Sequence, residues 1–179
     1  STNTLPTQNV GEELDLSKTY KVVIEGYGEK PVVPTSIFDS KYFIDNYTYD
    51  GNDLGAVING DKTTFKVWAP TASKVMLNLF ESGHEGSAYK QVEMSKGDKG
   101  VWSYTENCGH GTYYTYTVNV NGAVKEACDP YARTTGVNGD RAMVINLAST
   151  NPEGWDKDKN PNANLTINDA VIYELHIRD

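Results

Sequence analysis

The ionisable side chains that could do chemistry are few and scattered in this sequence. Asp50 and Asp53 lie three positions apart, and paired carboxylates of this kind can act as general acid and base. The glycines beside them favour a turn as the better account of both residues. The three histidines, His84, His110 and His176, lack the spacing of a metal site. The sequence therefore predicts neither catalytic residues nor a metal site.

The two cysteines, Cys108 and Cys128, lie on either side of a predicted hairpin whose tip is Asn121-Gly122. This register places Cys128 opposite a residue near Thr115, about seven residues away from Cys108, which is far beyond disulfide reach. We therefore predict two free thiols. Neither has the histidine and aspartate neighbours that would make it a nucleophile.

The composition is that of an acidic globular protein of one or two domains. Its 179 residues carry a formal net charge of −8 and no cluster of lysine and arginine, which argues against nucleic acid and anionic membranes as partners. No run approaches the roughly 18 apolar residues of a membrane span. The N-terminus lacks signal-peptide features, which leaves the compartment, extracellular or cytoplasmic, open. No cofactor is predicted; loop oxygens such as those of Asp129 or Asp156 leave calcium open, without a supporting motif.

The elements that must position any site are short strands with turns between them. From Thr63 to Phe80, apolar and polar residues alternate on both sides of a connection that contains Pro70, which predicts two adjacent antiparallel strands. Lys30 to Pro34, with two prolines, predicts an extended connection and no sheet interior. The first 18 residues read as a tail or linker. Further strands are predicted at residues 20–25, 56–58, 89–94, 101–104, 111–120 and 123–127.

Two motifs carry a family resemblance. Residues 65–75 read FKVWAPTASKV, which resembles the opening of the carbohydrate-binding family 48 module that precedes the barrel of debranching enzymes. Residues 49–56 read YDGNDLGA and resemble the YDGDDLGA segment of type I pullulanases. The GVW strand, the GTYYTY strand, the Asn-Gly tip and the DPYA turn follow in the order found in pullulanase modules. The chain is thus similar to type I pullulanases, a debranching family of the α-amylase superfamily.

The resemblance implies a mainly β fold. It predicts an immunoglobulin-like β-sandwich with an N-terminal β-rich flanking segment and a C-terminal strand that belongs to a (β/α)8 barrel. DAVIYELHIRD at the end of the chain resembles the first strand of such a barrel. We expect residues 1–54 to be the flanking segment or the end of an upstream domain, 55–147 the sandwich, 148–168 a linker and 169–179 the barrel strand.

The resemblance also implies a function. It is that of the non-catalytic N-terminal part of an enzyme that hydrolyses α-1,6-glucosidic linkages in pullulan, starch or glycogen dextrins. The sandwich would pack on the barrel and help to shape the substrate groove, while the catalytic carboxylates would lie beyond residue 179. Expected partners are an α-glucan polysaccharide and the remaining barrel, in the same protein or on a separate chain. Two alternatives stay open: a stand-alone α-glucan-binding module, or the equivalent module of an isoamylase or branching enzyme.

Candidate sugar contacts follow from the resemblance only in part. Carbohydrate-binding relatives use paired tryptophans as stacking platforms, but the corresponding positions here, residues 84–87 and Val124, contain no tryptophan. Trp68 and Trp102 lie within strand motifs and are expected to be packing residues. Trp155 and Tyr89 remain as candidate substrate-binding residues, since each offers an aromatic face.

Overall fold

The computed structural model describes residues 14–33 and 36–177. These fall into two compact units, Ser1–Asn146 and Leu147–Asp179. The first unit contains one α-helix, α1 (Lys41–Tyr47), and every strand that the described residues form. The strands are β1 (Lys21–Ile24), β2 (Gly28–Pro31), β3 (Gly55–Asn59), β4 (Lys62–Trp68), β5 (Lys74–Phe80), β6 (Lys90–Glu93), β7 (Ser95–Lys96), β8 (Val101–Glu106), β9 (Tyr113–Val120), β10 (Ala123–Ala127) and β11 (Ala142–Met143).

Two antiparallel sheets form the predicted sandwich. One has the strand order β3-β4-β8-β7, and the other has the order β10-β9-β5-β6, with β11 pairing the first residues of β9. The β9–β10 hairpin turns at Asn121-Gly122, where both residues have the positive φ that such a turn requires. Its register pairs Ala127 with Tyr116, and both cysteines are free thiols, as predicted.

The strands on either side of Pro70 do not pair with each other, contrary to the prediction. β4 pairs with β3 and β8, whereas β5 pairs with β6 and β9, so the connection crosses from one sheet to the other. The amide of Ala69 donates to the Gly100 carbonyl next to β8, and the amide of Ser73 donates to the Asn119 carbonyl on β9, each at 2.9 Å. Alternation fixes which face of a strand is buried but leaves its neighbour unspecified, and that is why the pairing was misassigned.

The core lies between the two sheets. Phe65 of β4 meets Tyr114 of β9 edge-to-face, with ring centroids 4.9 Å apart. The predicted inward positions of β5, Val75, Leu77 and Leu79, are completely buried. Burying side chains of this size contributes about 1.5–3 kcal/mol each to the free energy of unfolding.

The region before the sandwich has more structure than predicted. β1 and β2 form a hairpin in which Pro31 ends the second strand, so part of the expected extended connection at residues 30–34 is paired. The aromatic segment 36–49 contains α1, which the sequence analysis missed. Ser40 caps this helix by accepting from the amide of Phe43. Most of the tail predicted at residues 1–18 lies outside the described residues, as does Pro34.

Trp68 fastens α1 to the sandwich. Its indole N–H donates to the carbonyls of Tyr47 and Lys99, at 2.9 Å each. Its ring meets that of Phe43 edge-to-face, with centroids 6.2 Å apart. The ammonium of Lys99 donates in turn to the carbonyl of Asp45 at 2.8 Å. A seven-residue helix is too short to be stable by itself, so these contacts must hold it.

The second unit contains three short 3₁₀ turns, Leu147–Thr150, Trp155–Lys157 and Ile167–Asp169. The strand predicted at residues 169–179 is not formed in the part that the structure describes: residues 170–177 pair with no other strand. The physical reason is that a lone strand has no neighbour for its backbone groups. Residues 178 and 179 lie outside the described residues.

Candidate functional site

The two predicted sugar-contacting residues belong to different units. Tyr89 precedes β6 and is 51% exposed, and its amide donates to the carbonyl of Leu79 at 2.9 Å. Partial burial raises the pKa of its phenol, and nearby Cys108 and the carboxylates of Glu81 and Glu106 add to this. Trp155 begins a 3₁₀ turn and is 57% exposed. Each residue therefore presents part of an aromatic ring to solvent, and their role in binding stays a prediction.

A row of polar side chains crosses the outer face of the five-stranded sheet. We call this set the polar row: Gln91, Asn78, Thr115, Thr117 and Glu126. The Gln91 amide donates to the Asn78 side-chain oxygen at 3.0 Å, and the Asn78 amide donates to the two threonine hydroxyls at 3.0 and 2.8 Å. The Thr115 hydroxyl then donates to Glu126 at 2.5 Å. Donors and acceptors thus form one hydrogen-bonded series from β6 through β5 and β9 to β10.

The polar row combines a fixed centre with two exposed ends. Asn78 and Thr115 are buried, whereas Gln91 and Glu126 are exposed to solvent. Amide, hydroxyl and carboxylate groups on a flat surface are suited to hydrogen bonding with a neutral ligand rich in hydroxyls. The sequence analysis missed this set. Its signal was the polar residue at every second position of β9, with an asparagine in the middle of the apolar β5.

Arg141 fixes the loop after β5. Its guanidinium lies 3.6 Å from the centroid of the Phe80 ring and donates to the carbonyls of Ser82, Glu85 and Gly86 at 2.6 to 2.8 Å. This loop includes residues 84–87, where the family resemblance implied a stacking tryptophan and the sequence has none. Here a planar cation on an aromatic ring sets the loop conformation instead.

We predict that Arg141→Lys lowers the free energy of unfolding by about 1 kcal/mol, because one ammonium cannot replace a planar fork that binds three carbonyls. Arg133→Lys, at an exposed position eight residues earlier in the chain, is the matched control and should change little. Urea denaturation of both variants measures the difference. Equal midpoints for the two variants would show that the fork does not hold the loop.

The carboxylate of Asp53 in the YDGNDLGA motif has a structural role. Asp53 accepts from the hydroxyl of Tyr49 and from the ammonium of Lys66, and these two bonds, that of Lys66 first, lower the pKa of its carboxyl. The Tyr49 ring lies over Gly51, where a Cβ would meet the ring at 2.4 Å. The backbone bends at Asn52 without forming a hydrogen-bonded turn, and Asp53 ties the motif to Lys66 of β4.

Asp129 is a buried carboxylate in the core. It accepts from the hydroxyl of Tyr114 at 2.7 Å and from the amide of Tyr131 at 2.9 Å. Burial raises the pKa of the Asp129 carboxyl, and these two hydrogen bonds oppose the rise only in part. The residue opens the DPYA turn, so its side chain holds that turn against β9.

A pH dependence follows from Asp129. Its ordinary carboxyl pKa of 3.8 is raised in the folded protein, which therefore binds this proton at a higher pH than the unfolded chain does. The contribution of Asp129 to stability is thus largest below its ordinary pKa of 3.8, and it is lost as the pH rises from there through the raised pKa of the folded protein.

Asp129→Asn removes this titration and serves as the reference. We expect the free energy of unfolding of the parent chain, measured against the variant by urea denaturation, to fall as the pH is raised above 3.8. A difference that stays constant or grows over this range would contradict the assignment.

A cavity of about 320 Å³ lies beside α1, lined in part by Tyr42, Tyr47 and Lys99. The hydroxyls of both tyrosines reach the carbonyl of Leu14, at 2.9 and 3.4 Å, and the lysine reaches that of Asp45. These polar groups are thus occupied by contacts within the protein. The cavity is therefore a packing gap between α1 and the sandwich.

Comparison with known proteins agrees with this architecture. Residues 53–132 match the family described as carbohydrate-binding module 48 (isoamylase N-terminal domain). The chain is 34% identical to a pullulanase of Bacillus subtilis over 149 residues, which cover 83% of this chain and 19% of that protein. A Paenibacillus barengoltzii pullulanase, solved with maltohexaose and α-cyclodextrin, is 44% identical with a TM-score of 0.69, covering 78% of this chain and 22% of the other.

The chain contains a carbohydrate-binding module 48 of the kind found in pullulanases. A Bacillus acidopullulyticus pullulanase supports this with 40% identity, a TM-score of 0.69, and coverage of 82% of this chain and 18% of the other. The chain thus spans about a fifth of the length of the relatives that it matches.

The module 48 region is non-catalytic. No group of three or more potential metal-ligating side chains occurs within residues 14–33 and 36–177. No helix formed by those residues is long and apolar enough to cross a membrane.

Proposed function

We propose that this chain is the non-catalytic N-terminal region of an enzyme that hydrolyses α-1,6-glucosidic linkages in pullulan, starch or glycogen dextrins. Retaining hydrolysis needs two carboxyl groups about 5–5.5 Å apart. The carboxylates of Asp53 and Asp129 are instead occupied by structural partners. The chemistry would belong to a (β/α)8 barrel, on which the sandwich packs and whose substrate groove it helps to shape.

The observation that carries this proposal is the exposed apolar segment at residues 170–177. Its backbone pairs with no strand of the described residues, and its apolar side chains are 76–94% exposed. Each such side chain would contribute about 1.5–3 kcal/mol if it were buried, so the segment is suited to be covered by further protein. The exposed set is Val171, Ile172, Tyr173, Leu175 and Ile177.

The domain organisation that we propose follows from this. Residues 1–54 are a flanking segment, 55–147 the sandwich, 148–168 a linker and 169–179 the first barrel strand. The barrel is the expected partner of the sandwich.

The activity of the complete polypeptide tests the proposal. We expect it to release reducing ends from pullulan faster than from glycogen, and we expect the 179-residue chain alone to release none above a buffer control. Preference for glycogen would assign the module to an isoamylase. Activity of the chain alone would contradict its non-catalytic role.

A second candidate function is α-glucan binding by the module itself. The polar row favours it, because its exposed ends, Gln91 and Glu126, can bond sugar hydroxyls. Tyr89 and Trp155 are the candidate stacking residues. Glycans are also named in the relatives' structures, where maltohexaose and α-cyclodextrin accompany the Paenibacillus enzyme.

Calorimetry of the 179-residue chain with maltoheptaose and β-cyclodextrin separates the two functions. A purely barrel-packing module gives little or no heat. A glucan-binding surface gives saturable heat that falls with Gln91→Ala and Tyr89→Ala. Lys62→Ala, an exposed position on β4 in the opposite sheet, is the matched control.

A further inference from the structure

The hydroxyl of Tyr116 is an unusual group in the core. The residue is 2% exposed, and its hydroxyl has no hydrogen-bond partner within the part of the chain that the structure describes. Tyr114, two positions earlier on the same face of β9, is equally buried, but its hydroxyl donates to Asp129 at 2.7 Å. The two rings meet edge-to-face, with centroids 5.7 Å apart. The two tyrosines are thus similarly buried on one face of β9, but only the hydroxyl of Tyr114 has a hydrogen-bond partner among the described residues.

A buried hydroxyl without a partner is costly. It has lost its bonds to water and gained none in return, which costs more than an ordinary hydrogen bond contributes. Buried polar groups that find no protein partner in native proteins are usually bonded to an ordered internal water. A tyrosine hydroxyl can both donate and accept, so one water suffices to satisfy it.

The surroundings of Tyr116 supply a further partner for such a water. The Asp129 carboxylate has about four acceptor positions, of which the hydroxyl of Tyr114 and the amide of Tyr131 use two. Its charge acts on Tyr116 and, after burial, is the second cause that raises the pKa of that phenol. Geometry places the carboxylate beside the neighbouring ring: the Tyr114 ring, whose centroid lies 5.7 Å from that of Tyr116, carries the hydroxyl that donates to Asp129.

We propose that an internal water binds the Tyr116 hydroxyl and the free acceptor positions of Asp129. It ties the middle of β9 to the turn at residues 129–132. That turn also contacts β3, since the carbonyl of Tyr131 lies 2.9 Å from where a Cβ on Gly55 would be. The water therefore supports the junction at which the two motifs, YDGNDLGA and DPYA, meet. This inference is independent of the proposed enzymatic function.

Tyrosine-to-phenylalanine variants test the proposal, because the urea midpoint should change in a different direction with and without a bound water. If the Tyr116 hydroxyl holds a bound water, Tyr116→Phe should lower the urea midpoint of the 179-residue chain by about half a molar. If the hydroxyl is unsatisfied, its removal should raise the midpoint or leave it unchanged, and either result would overturn the proposal. Tyr114→Phe is the matched control, because its hydroxyl has a protein partner and its loss should lower the midpoint in both cases.

A crystal structure of the same chain provides the second measurement. We expect ordered density about 3 Å from the Tyr116 hydroxyl oxygen, within hydrogen-bond distance of Asp129, and its loss in Tyr116→Phe. A core without such density would overturn the proposal, whatever the stability of the variants. Density that persists unchanged in Tyr116→Phe would do the same.

Discussion

Replacing Gly55 with alanine should lower the free energy of unfolding by about 3 kcal/mol, from a left-handed backbone cost of about 1–2 kcal/mol and a steric cost of similar size. Gly55 has a φ of +93°, which side chains rarely adopt. A Cβ there would also lie 2.9 Å from the carbonyl oxygen of Tyr131. That atom belongs to the backbone of the DPYA turn and cannot move without disturbing Asp129.

Gly60→Ala is the control for Gly55→Ala. Gly60 follows the other end of β3 and also has a positive φ, of +65°, but no atom lies within 4 Å of its added Cβ. It should lose only the backbone cost of about 1–2 kcal/mol. Urea denaturation of the two variants isolates the contact with Tyr131. Equal losses would show that the turn gives way and that the junction is not tightly packed.

Replacing Trp68 with alanine should cost about 3–4 kcal/mol, a loss typical of truncating a large packed aromatic side chain. The change removes the ring that meets Phe43 and the indole that bonds the carbonyls of Tyr47 and Lys99. Helix α1 should therefore detach from the sandwich. Amide hydrogen exchange at Ile44 and Thr48, whose amides donate within the helix and its cap, would report this as lost protection.

Two further variants define what Trp68 contributes. Trp68→Phe keeps the aromatic contact but loses both hydrogen bonds, so its effect should be intermediate, about 1–2 kcal/mol. Trp155→Ala removes a tryptophan that is largely exposed, and its effect should be near zero. If Trp68→Ala were no more destabilising than Trp155→Ala, the account of how α1 is attached would be wrong.

The sequence predicted the strands of the sandwich well, because one-sided burial leaves a period-two pattern. Phe65 and Val67 in β4, and Val75, Leu77 and Leu79 in β5, lie in the core as expected. Pairing was harder to predict, since the same alternation suits strands that pair and strands that face each other across a core. The ladders that pair β4 with β8 and β5 with β9 decide between these arrangements.

The helix and the hairpin before the sandwich were missed or misjudged for a different reason. α1 spans two turns and has no fully buried residue, so it leaves no helical period in the sequence. What stabilises it is tertiary, the contact with Trp68. The same holds for the polar row, whose members come from four strands and become neighbours only through the strand order. No local pattern connects Gln91 with Glu126.

The YDGNDLGA motif shows what a resemblance can and cannot predict. The motif indicated the family, and the structure supplies the physical reason for three of its residues. Gly51 lies under the Tyr49 ring, Asp53 joins that tyrosine to Lys66, and Gly55 makes room for Tyr131. Each of these contacts joins groups within the protein.

The solvent protection of residues 170–177 tests the central claim most directly. That claim is that this chain is one region of a larger enzyme whose catalytic residues lie in a barrel. Amide hydrogen exchange should be measured on this segment in the 179-residue chain and in the complete polypeptide. The account predicts rapid exchange in the chain alone and exchange slower by at least about a thousandfold in the complete protein, where a barrel would bury the strand. Slow exchange in both would mean that the segment folds within this chain, and rapid exchange in both would mean that no barrel covers it; either result would contradict the account.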